Sequence, residues 1–374
     1  MFSAFDHQMM QRALALAERG RFTTQPNPRV GCVITVGEHV VGEAWHRKSG
    51  EPHAEPLALQ AAGEQARGGT AYVTLEPHCH QSRTPPCTQA LIRAGIRRVV
   101  CATLDPNPQV HAEGARELRE AGLQVDVGLL ETQASALNAG FAKRMRTGLP
   151  RVIVKVAASL DGRVALANGE SQWITGPAAR ADVQRLRAEM GAILTGIDTV
   201  LADDPQLNVR DPAIDTLGRQ PLRVVLDSRL RMPPTARILQ QPGETLVFTL
   251  SDDVRAAKTL EQKGAKIVVL PRGTGERVDL TQVVQALGAA QCNDVLVEAG
   301  PTLGARFVEL RLADELIVYI APMLLGPQAR AMFELPPLER LADRLQFQLH
   351  RSETVGDDLK LVLRPQARIT DAST

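Results

Sequence analysis

His53-Ala54-Glu55, then Glu76-Pro77-His78-Cys79, then Cys87 bring imidazole, thiol and carboxylate groups together in one short stretch. Imidazole and thiolate are the donors that hold zinc, and three of them leave one coordination position open for water. A carboxylate beside a ligand, but not itself a ligand, can move protons between that water and a leaving amine. The run Ala71 to Leu75 reads as a strand leading into the second cluster. Residues 86–94 read as a helix with proline in its first turn. A helix from about 54 would put Glu55 one residue from the start that holds His53, on the same side of the metal.

This order resembles the zinc deaminase signature, His-x-Glu at one helix start and thiolates at another. The signature has Cys directly after the proline, whereas this chain has His78 after Pro77 and Cys79 one step later. Ungapped register from Pro77 to Cys87 points to His78 as the third ligand. The charge of a thiolate tips the expectation to Cys79. The alternative is a loop retained on a scaffold that has lost its metal, since isolated His and Cys residues are more often buried structure. Three such groups with a correctly spaced Glu argue for a site.

The whole chain sets the frame for this chemistry. At 374 residues it calls for two domains. Apolar residues make up 44%, charged residues 23%, and the net charge is +1. That balance supplies no electrostatic field for nucleic acid or a membrane surface, which argues against a nucleic-acid-editing deaminase. No run approaches the roughly 18 apolar residues of a membrane span. The first residues read as an amphipathic helix rather than a signal peptide. Five cysteines (Cys32, Cys79, Cys87, Cys101 and Cys292) are sparse for a disulfide framework and fit a reducing cytoplasm.

Residues 1–146 alternate between helix and strand patterns. Helix is expected at 7–19, a hairpin at 30–36 and 40–45, helix at 54–66, strand at 71–75, helix at 86–94 and strand at 97–102. Helix at 112–122, strand at 124–128 and helix at 131–144 complete a three-layer α/β sandwich. Thr147-Gly148-Leu149-Pro150 joins a helix stop to a breaker and marks residues 147–150 as a linker. The second domain, 151–366, restarts with strand 152–156, which carries Lys155 in an apolar run. Helices are expected at 177–190, 279–289 and 301–310. Strands are expected at 192–195, 222–226, 245–249, 266–270, 294–298 and 315–320, and residues 367–374 read as a frayed tail.

A second chemistry lies there. No G-x-G-x-x-G fingerprint occurs, so a Rossmann dinucleotide site is not supported. Glu298-Ala299-Gly300-Pro301-Thr302-Leu303-Gly304 sits between a strand end and a helix start, where backbone amides and the helix dipole favour phosphate oxygens. Such a turn is weak alone, and an isolated Lys155 would be read as reaching the surface. Polar groups interrupting apolar segments are either satisfied structure or the edge of a site. They occur here at Lys155, 159–163, 171–176 and 199–204.

Two sets of motifs carry a resemblance. Pro26-Asn27-Pro28-Arg29-Val30-Gly31-Cys32-Val33, His53-Ala54-Glu55, Arg83-Thr84-Pro85-Pro86-Cys87 and Asp105-Pro106-Asn107-Pro108 resemble the riboflavin-pathway pyrimidine deaminases. Lys155, Ser159-Leu160-Asp161-Gly162, Gly169-Glu170-Ser171-Gln172-Trp173-Ile174, Ala202-Asp203-Asp204-Pro205 and Glu298-Ala299-Gly300 resemble their partner reductase. In this order they resemble the bacterial bifunctional deaminase–reductase over nearly the whole chain.

The resemblance implies a cytidine-deaminase-like first domain and a dihydrofolate-reductase-like second domain. It implies zinc-dependent removal of the 2-amino group from a phosphoribosylamino diaminopyrimidinone. NADPH reduction of the ribosyl unit to ribityl follows, in an enzyme expected to be a homodimer. His53 and Cys87, with Cys79 or His78, would hold zinc, and Glu55 would shuttle protons. Asn27, His46, Asp105 and Asn107 would orient the deaminase substrate. Ala157, Trp173, Thr199, Asp203 and Gly300, Pro301, Thr302, Leu303, Gly304, Ala305 and Arg306 match cofactor positions. Lys155, Ser171, Arg187, Leu207, Arg210 and Glu298 match positions near substrate or hydride transfer, with Arg187 and Arg210 as phosphate clamps. The departures fall in the deaminase half: His78, Ser82 for a glycine, Pro56 for an aliphatic residue, and His111-Ala112-Glu113-Gly114 for a more basic stretch. A reductase with a metal-free deaminase-like domain is the alternative reading.

Overall fold

The computed structural model describes residues 1–81, 85–108, 110–273 and 275–366. Ser82, Arg83, Thr84 and the expected tail lie outside the described residues. The chain divides into two units. One comprises Met1–Leu149 with Asp215–Arg219, the other Pro150–Ile214 with the residues from Gln220 onward. Among the described residues no helix is long and apolar enough to cross a membrane.

The first unit opens with α1 (Ala4–Glu18), set by a capping box in which Ser3 and Asp6 satisfy each other's backbone N–H. A hairpin of β1 (Gly31–Val36) and β2 (His39–Trp45) follows, then α2 (Ala54–Ala62) and β3 (Thr70–Val73). After α3 (Cys87–Arg93), β4 (Arg98–Cys101), α4 (Glu113–Glu120) and β5 (Gln124–Val127), the unit ends with α5 (Glu131–Leu137) and α6 (Ala139–Thr147). The sheet order is β2-β1-β3-β4-β5. Strand side chains alternate between faces, so Cys32, Ile34, Ala71, Val73 and Val99 pack with Ala54, Ala58, Leu91 and Leu118. Val33, Tyr72 and Val100 pack on the other face with Met10, Ala13 and Ala134. This is the expected three-layer sandwich.

One expected helix is two. Asn138 separates α5 from α6 at φ −116°, ψ 26°, and its side chain clasps Arg29 from both sides. Oδ1 accepts the Arg29 N–H at 2.8 Å and Nδ2 donates to the Arg29 carbonyl at 2.9 Å. That tertiary clasp offsets the interrupted helix.

The second unit begins with β6 (Arg151–Ser159), β7 (Arg163–Ala165), α7 (Pro177–Glu189), β8 (Ala192–Gly196) and α8 (Ile197–Asp203). Then come β9 (Leu222–Leu226), β10 (Thr245–Thr249), α9 (Val254–Glu261), β11 (Ala265–Val269), α10 (Leu280–Ala289) and β12 (Asp294–Val297). It closes with α11 (Pro301–Glu309), β13 (Glu315–Ala321), β14 (Arg330–Ala331), β15 (Phe347–Val355) and β16 (Asp358–Pro365). The large sheet runs β11-β10-β9-β8-β12-β6-β13-β16-β15. Strands β11 to β13 of that order are parallel, and β16 and β15 add antiparallel at the edge. Central parallel strands are buried on both faces and read as apolar runs, as do Val152-Ile153-Val154 and Val295-Leu296-Val297.

Candidate active sites

His53 is the N-cap of α2, in extended backbone (φ −73°, ψ 173°), and its side chain makes no capping hydrogen bond. The ring is therefore available to a second element. Gly42 lets α2 lie close on β2, since a Cβ there would meet the Ala58 carbonyl oxygen at 2.3 Å. Cys87 opens α3, whose first N–H groups, those of Cys87 and Thr88, donate to the His78 carbonyl at 3.0 and 3.3 Å. The orphan donors of α3 thereby hold the loop that carries His78.

The result is a buried cluster. Donor atoms of His53, His78 and Cys87 lie within 4.8 Å of one another. The His53 and His78 rings are 4.7 Å apart, and His53 Nδ1 is 3.6 Å from Cys87 Sγ. Among the described residues Cys79 is not part of that group. In the ungapped loop, whose His78 carbonyl caps the start of α3, the structure brings the His78 ring, and not Cys79, into the group with His53 and Cys87.

Glu55 is buried against Cys87, and burial pushes its carboxyl up to about 7. Its Oε2 has no hydrogen-bond partner among the described residues. Burial and the neighbouring rings of His78 and His46 lower His53 to about 4. Burial, and then the charge of Glu55, push the Cys87 thiol up.

His46 lies beside the cluster, its ring 5.1 Å from that of His53. Its Nδ1 donates to the Pro52 carbonyl (3.2 Å), so Nε2 is the acceptor for Asn27 Nδ2 (3.1 Å). Ser49, not singled out by the sequence, donates to Asn27 Oδ1 at 3.3 Å. Asp105 and Asn107 share a loop after β4, in which Asp105 Oδ1 accepts the Asn107 N–H at 2.8 Å. Burial raises the Asp105 carboxyl to about 6.

In the second unit Glu298 follows the end of β12 and Lys155 lies within β6. Open α/β sheets take ligands at the carboxyl ends of their strands. Lys155 does not reach out to solvent but pairs with Glu298 Oε2 at 3.2 Å. Arg187, in the last turn of α7, grips the same carboxylate in bidentate fashion, at 2.6 and 3.0 Å. Burial would raise Glu298, but the Arg187 and Lys155 charges bring it down to about 2.

Arg187 also donates to the Asn208 carbonyl at 3.2 Å. Nε, Nη1 and Nη2 of Arg187 thus each make a bond within the protein, and the guanidinium lies between Glu298 and the loop of Asn208. Arg210 is exposed at the end of the loop that Arg187 braces, and Leu207 is buried in that loop with φ 46°.

The other expected positions spread along the same end of the sheet. Ala157 lies on β6 and is paired in register with Tyr319. Ser171 and Trp173 precede α7, and Trp173 is exposed with the Arg180 guanidinium 4.7 Å from its ring. Thr199 and Asp203 lie on α8. Gly300 caps α11 with Pro301 at the first helical position and no side-chain cap. Thr302 donates to Glu334 at 2.5 Å, and exposed Arg306 pairs with Glu309.

Matches to known proteins cover both units. Residues 3–103 match the cytidine and deoxycytidylate deaminase zinc-binding region, and residues 150–361 the RibD C-terminal domain. The riboflavin biosynthesis protein RibD of Escherichia coli is 51% identical over 367 residues, covering 96% of this chain and 99% of the relative. That of Haemophilus influenzae is 46% identical over 374 residues, covering 98% and 99%. The solved Acinetobacter baumannii RibD is 47% identical with a TM-score of 0.91, covering 97% of this chain and 99% of that one. A Thermotoga maritima diaminohydroxyphosphoribosylaminopyrimidine deaminase/5-amino-6-(5-phosphoribosylamino)uracil reductase is 30% identical with a TM-score of 0.85 at the same coverage. Both expected folds hold, a cytidine-deaminase-like unit and a dihydrofolate-reductase-like one. Full-length likeness at half identity leaves no room for a chance match of either half, and the chain belongs to the RibD family, the bifunctional deaminase–reductases of riboflavin biosynthesis.

Proposed function

We propose that the first unit deaminates 2,5-diamino-6-(5-phosphoribosylamino)pyrimidin-4(3H)-one by zinc-dependent hydrolysis and that the second reduces the ribosyl side chain of the product with NADPH. The observation that carries the reading is the group of His53, His78 and Cys87 donors within 4.8 Å, with the partnerless Oε2 of Glu55 beside it. Two imidazoles and one thiol suit zinc, and three ligands leave a position open. Zinc held there supplies Lewis acidity and makes water nucleophilic near neutral pH.

Glu55, kept from solvent, takes the proton from the attacking water and returns it to the leaving amine. The neutral His46 tautomer and Asn27 offer fixed hydrogen-bond partners at the mouth of the cluster. Asp105 and Asn107 orient the ring from the opposite loop.

NADPH supplies the hydride in the second unit. The N–H groups of Gly300, Thr302 and Leu303 at the start of α11, which has no side-chain cap, suit its phosphates, with Ala157, Trp173, Thr199 and Asp203 along the same strand ends. Lys155 is held by Glu298 next to the reacting carbon, where a paired cation and carboxylate steady charge and direct a proton. Arg210 anchors the substrate phosphate remotely, and Ser171 and Leu207 line its path.

Five free thiols suit a reducing cytoplasm. The exposed Leu338, Leu341 and Leu349 near edge strand β15 support a homodimer, because edge strands and apolar patches left open favour self-association.

Zinc analysis of the purified chain tests the reading. About one zinc per chain is expected. Cys87→Ser should lose metal and deamination together, while Glu55→Gln should keep metal and lose turnover. Lys155→Ala should cut NADPH oxidation more than NADPH binding. Deamination by metal-free protein would sink the mechanism.

A further inference from the structure

Glu76 is buried, only 3% exposed, and the chemistry above does not use it. Its carboxylate accepts three backbone N–H groups: Oε2 those of Asp105 (2.9 Å) and Ala112 (3.0 Å), Oε1 that of Ala115 (2.9 Å). Helix α4 needs this, because its N-cap is Ala112, at φ 67°, with no side-chain cap of its own. The first turn of a helix leaves N–H groups unsatisfied and favours negative charge. Glu76 supplies both from another element. Gly114 permits the approach, since a Cβ there would meet the Pro77 carbonyl oxygen at 2.0 Å.

Glu76 therefore stands between two loops. Two residues on is His78, whose carbonyl holds the start of α3. On its other side is the loop of Asp105 and Asn107, closed by the Asp105–Asn107 hydrogen bond and by His111 Nδ1 donating to the Asp105 carbonyl at 3.0 Å.

We propose that Glu76 is a positioning residue for deamination, holding Asp105 and Asn107 in the geometry that receives the pyrimidine while leaving the metal ligands unchanged. The proposal rests on the deaminase reading above. A carboxylate can accept all three bonds, whereas a carboxamide offers one oxygen and turns its NH2 toward at least one donor. Substrate binding should then suffer and metal binding should not.

The test compares full-length wild type, E76Q and E76D by amide hydrogen exchange, zinc content and steady-state kinetics of both reactions. In E76Q, exchange over residues 103–116 should quicken about tenfold while peptides of β3 keep their rate. The deaminase KM should rise roughly tenfold with kcat within about twofold. Zinc content and NADPH oxidation should be unchanged, and E76D should recover most of the KM. Unchanged exchange at 103–116, or faster exchange with an unchanged KM, overturns the proposal, as does loss of zinc with loss of kcat alone. If E76Q does not fold, Gly114→Ala, which displaces the same turn, is judged by the same readouts. A wild type that never deaminates defeats the earlier reading, and the exchange data alone then decide whether Glu76 holds the loop.

Discussion

His78 and Cys79 stand one residue apart, yet of the two only His78 joins the group with His53 and Cys87. His78→Ala should lower bound zinc well below one per chain, while Cys79→Ser should keep it; elemental analysis of both variants separates them. His78→Cys should still bind metal, because a thiolate fits the same borderline set. Glu298 carries the second residue-level expectation. Its folded carboxyl is held at about 2 against an ordinary 4.5. A carboxylate depressed on folding stabilises above its unfolded pKa and loses that contribution as pH falls through the folded value. Wild type should thus lose stability between about pH 4.5 and 2, and E298Q should lack that part of the acid transition in a chemical-denaturation series. E298Q should also be less stable at neutral pH, since removing one partner of a buried ion pair costs about 3–5 kcal/mol.

Helix α7 acts through what it braces. Gln184 accepts the Arg210 N–H at 2.9 Å, and Arg187 donates to the Asn208 carbonyl. Gln220 holds Val209 from both sides, accepting its N–H and donating to its carbonyl, each at 2.9 Å. Together they fix the loop that presents Arg210. Gln220→Ala should raise the reductase KM for the phosphorylated substrate severalfold and leave NADPH affinity alone, as steady-state kinetics and cofactor titration would read. Equal KM in wild type and variant would show that the loop needs no clasp.

At the scale of the whole molecule, β15 is a long, mostly exposed edge strand. Strand β15 ends the nine-stranded sheet, and Leu341 and Leu349 are 80% and 55% exposed nearby. A long unpaired edge beside apolar side chains invites a second copy. Light scattering should give twice the chain mass, and Leu349→Glu should shift the protein toward monomer. A wild type that is monomeric at working concentration would end that reading.

Periodicity and turn signals in the sequence alone were enough for most helices and central strands, because buried parallel strands and amphipathic helices write their environment into local pattern. Strands at 222–226 and 245–249 fall where expected. His53, Glu55 and Cys87 were legible as a group because metal chemistry constrains residue type and spacing together. Other features depended on the fold. Strand β15 shows little apolar alternation, since it is mostly exposed and carries charges such as Arg351 and Glu353. Helix α9 is capped by Asp253, whose side chain accepts the Arg255 and Ala256 N–H groups. Helix α8 has only seven residues, too few for a helical period to stand out, and Asn138 broke a helix for a partner 109 positions away. That His78 rather than Cys79 lies beside His53 and Cys87 depended on the loop whose His78 carbonyl caps α3. That Arg187 also grips Glu298 could not be read locally, because Glu298 lies 111 positions away in sequence and 2.6 Å away in space. Local sequence specifies what a residue can do, and long-range hydrogen bonds and burial decide which of those capacities is already engaged.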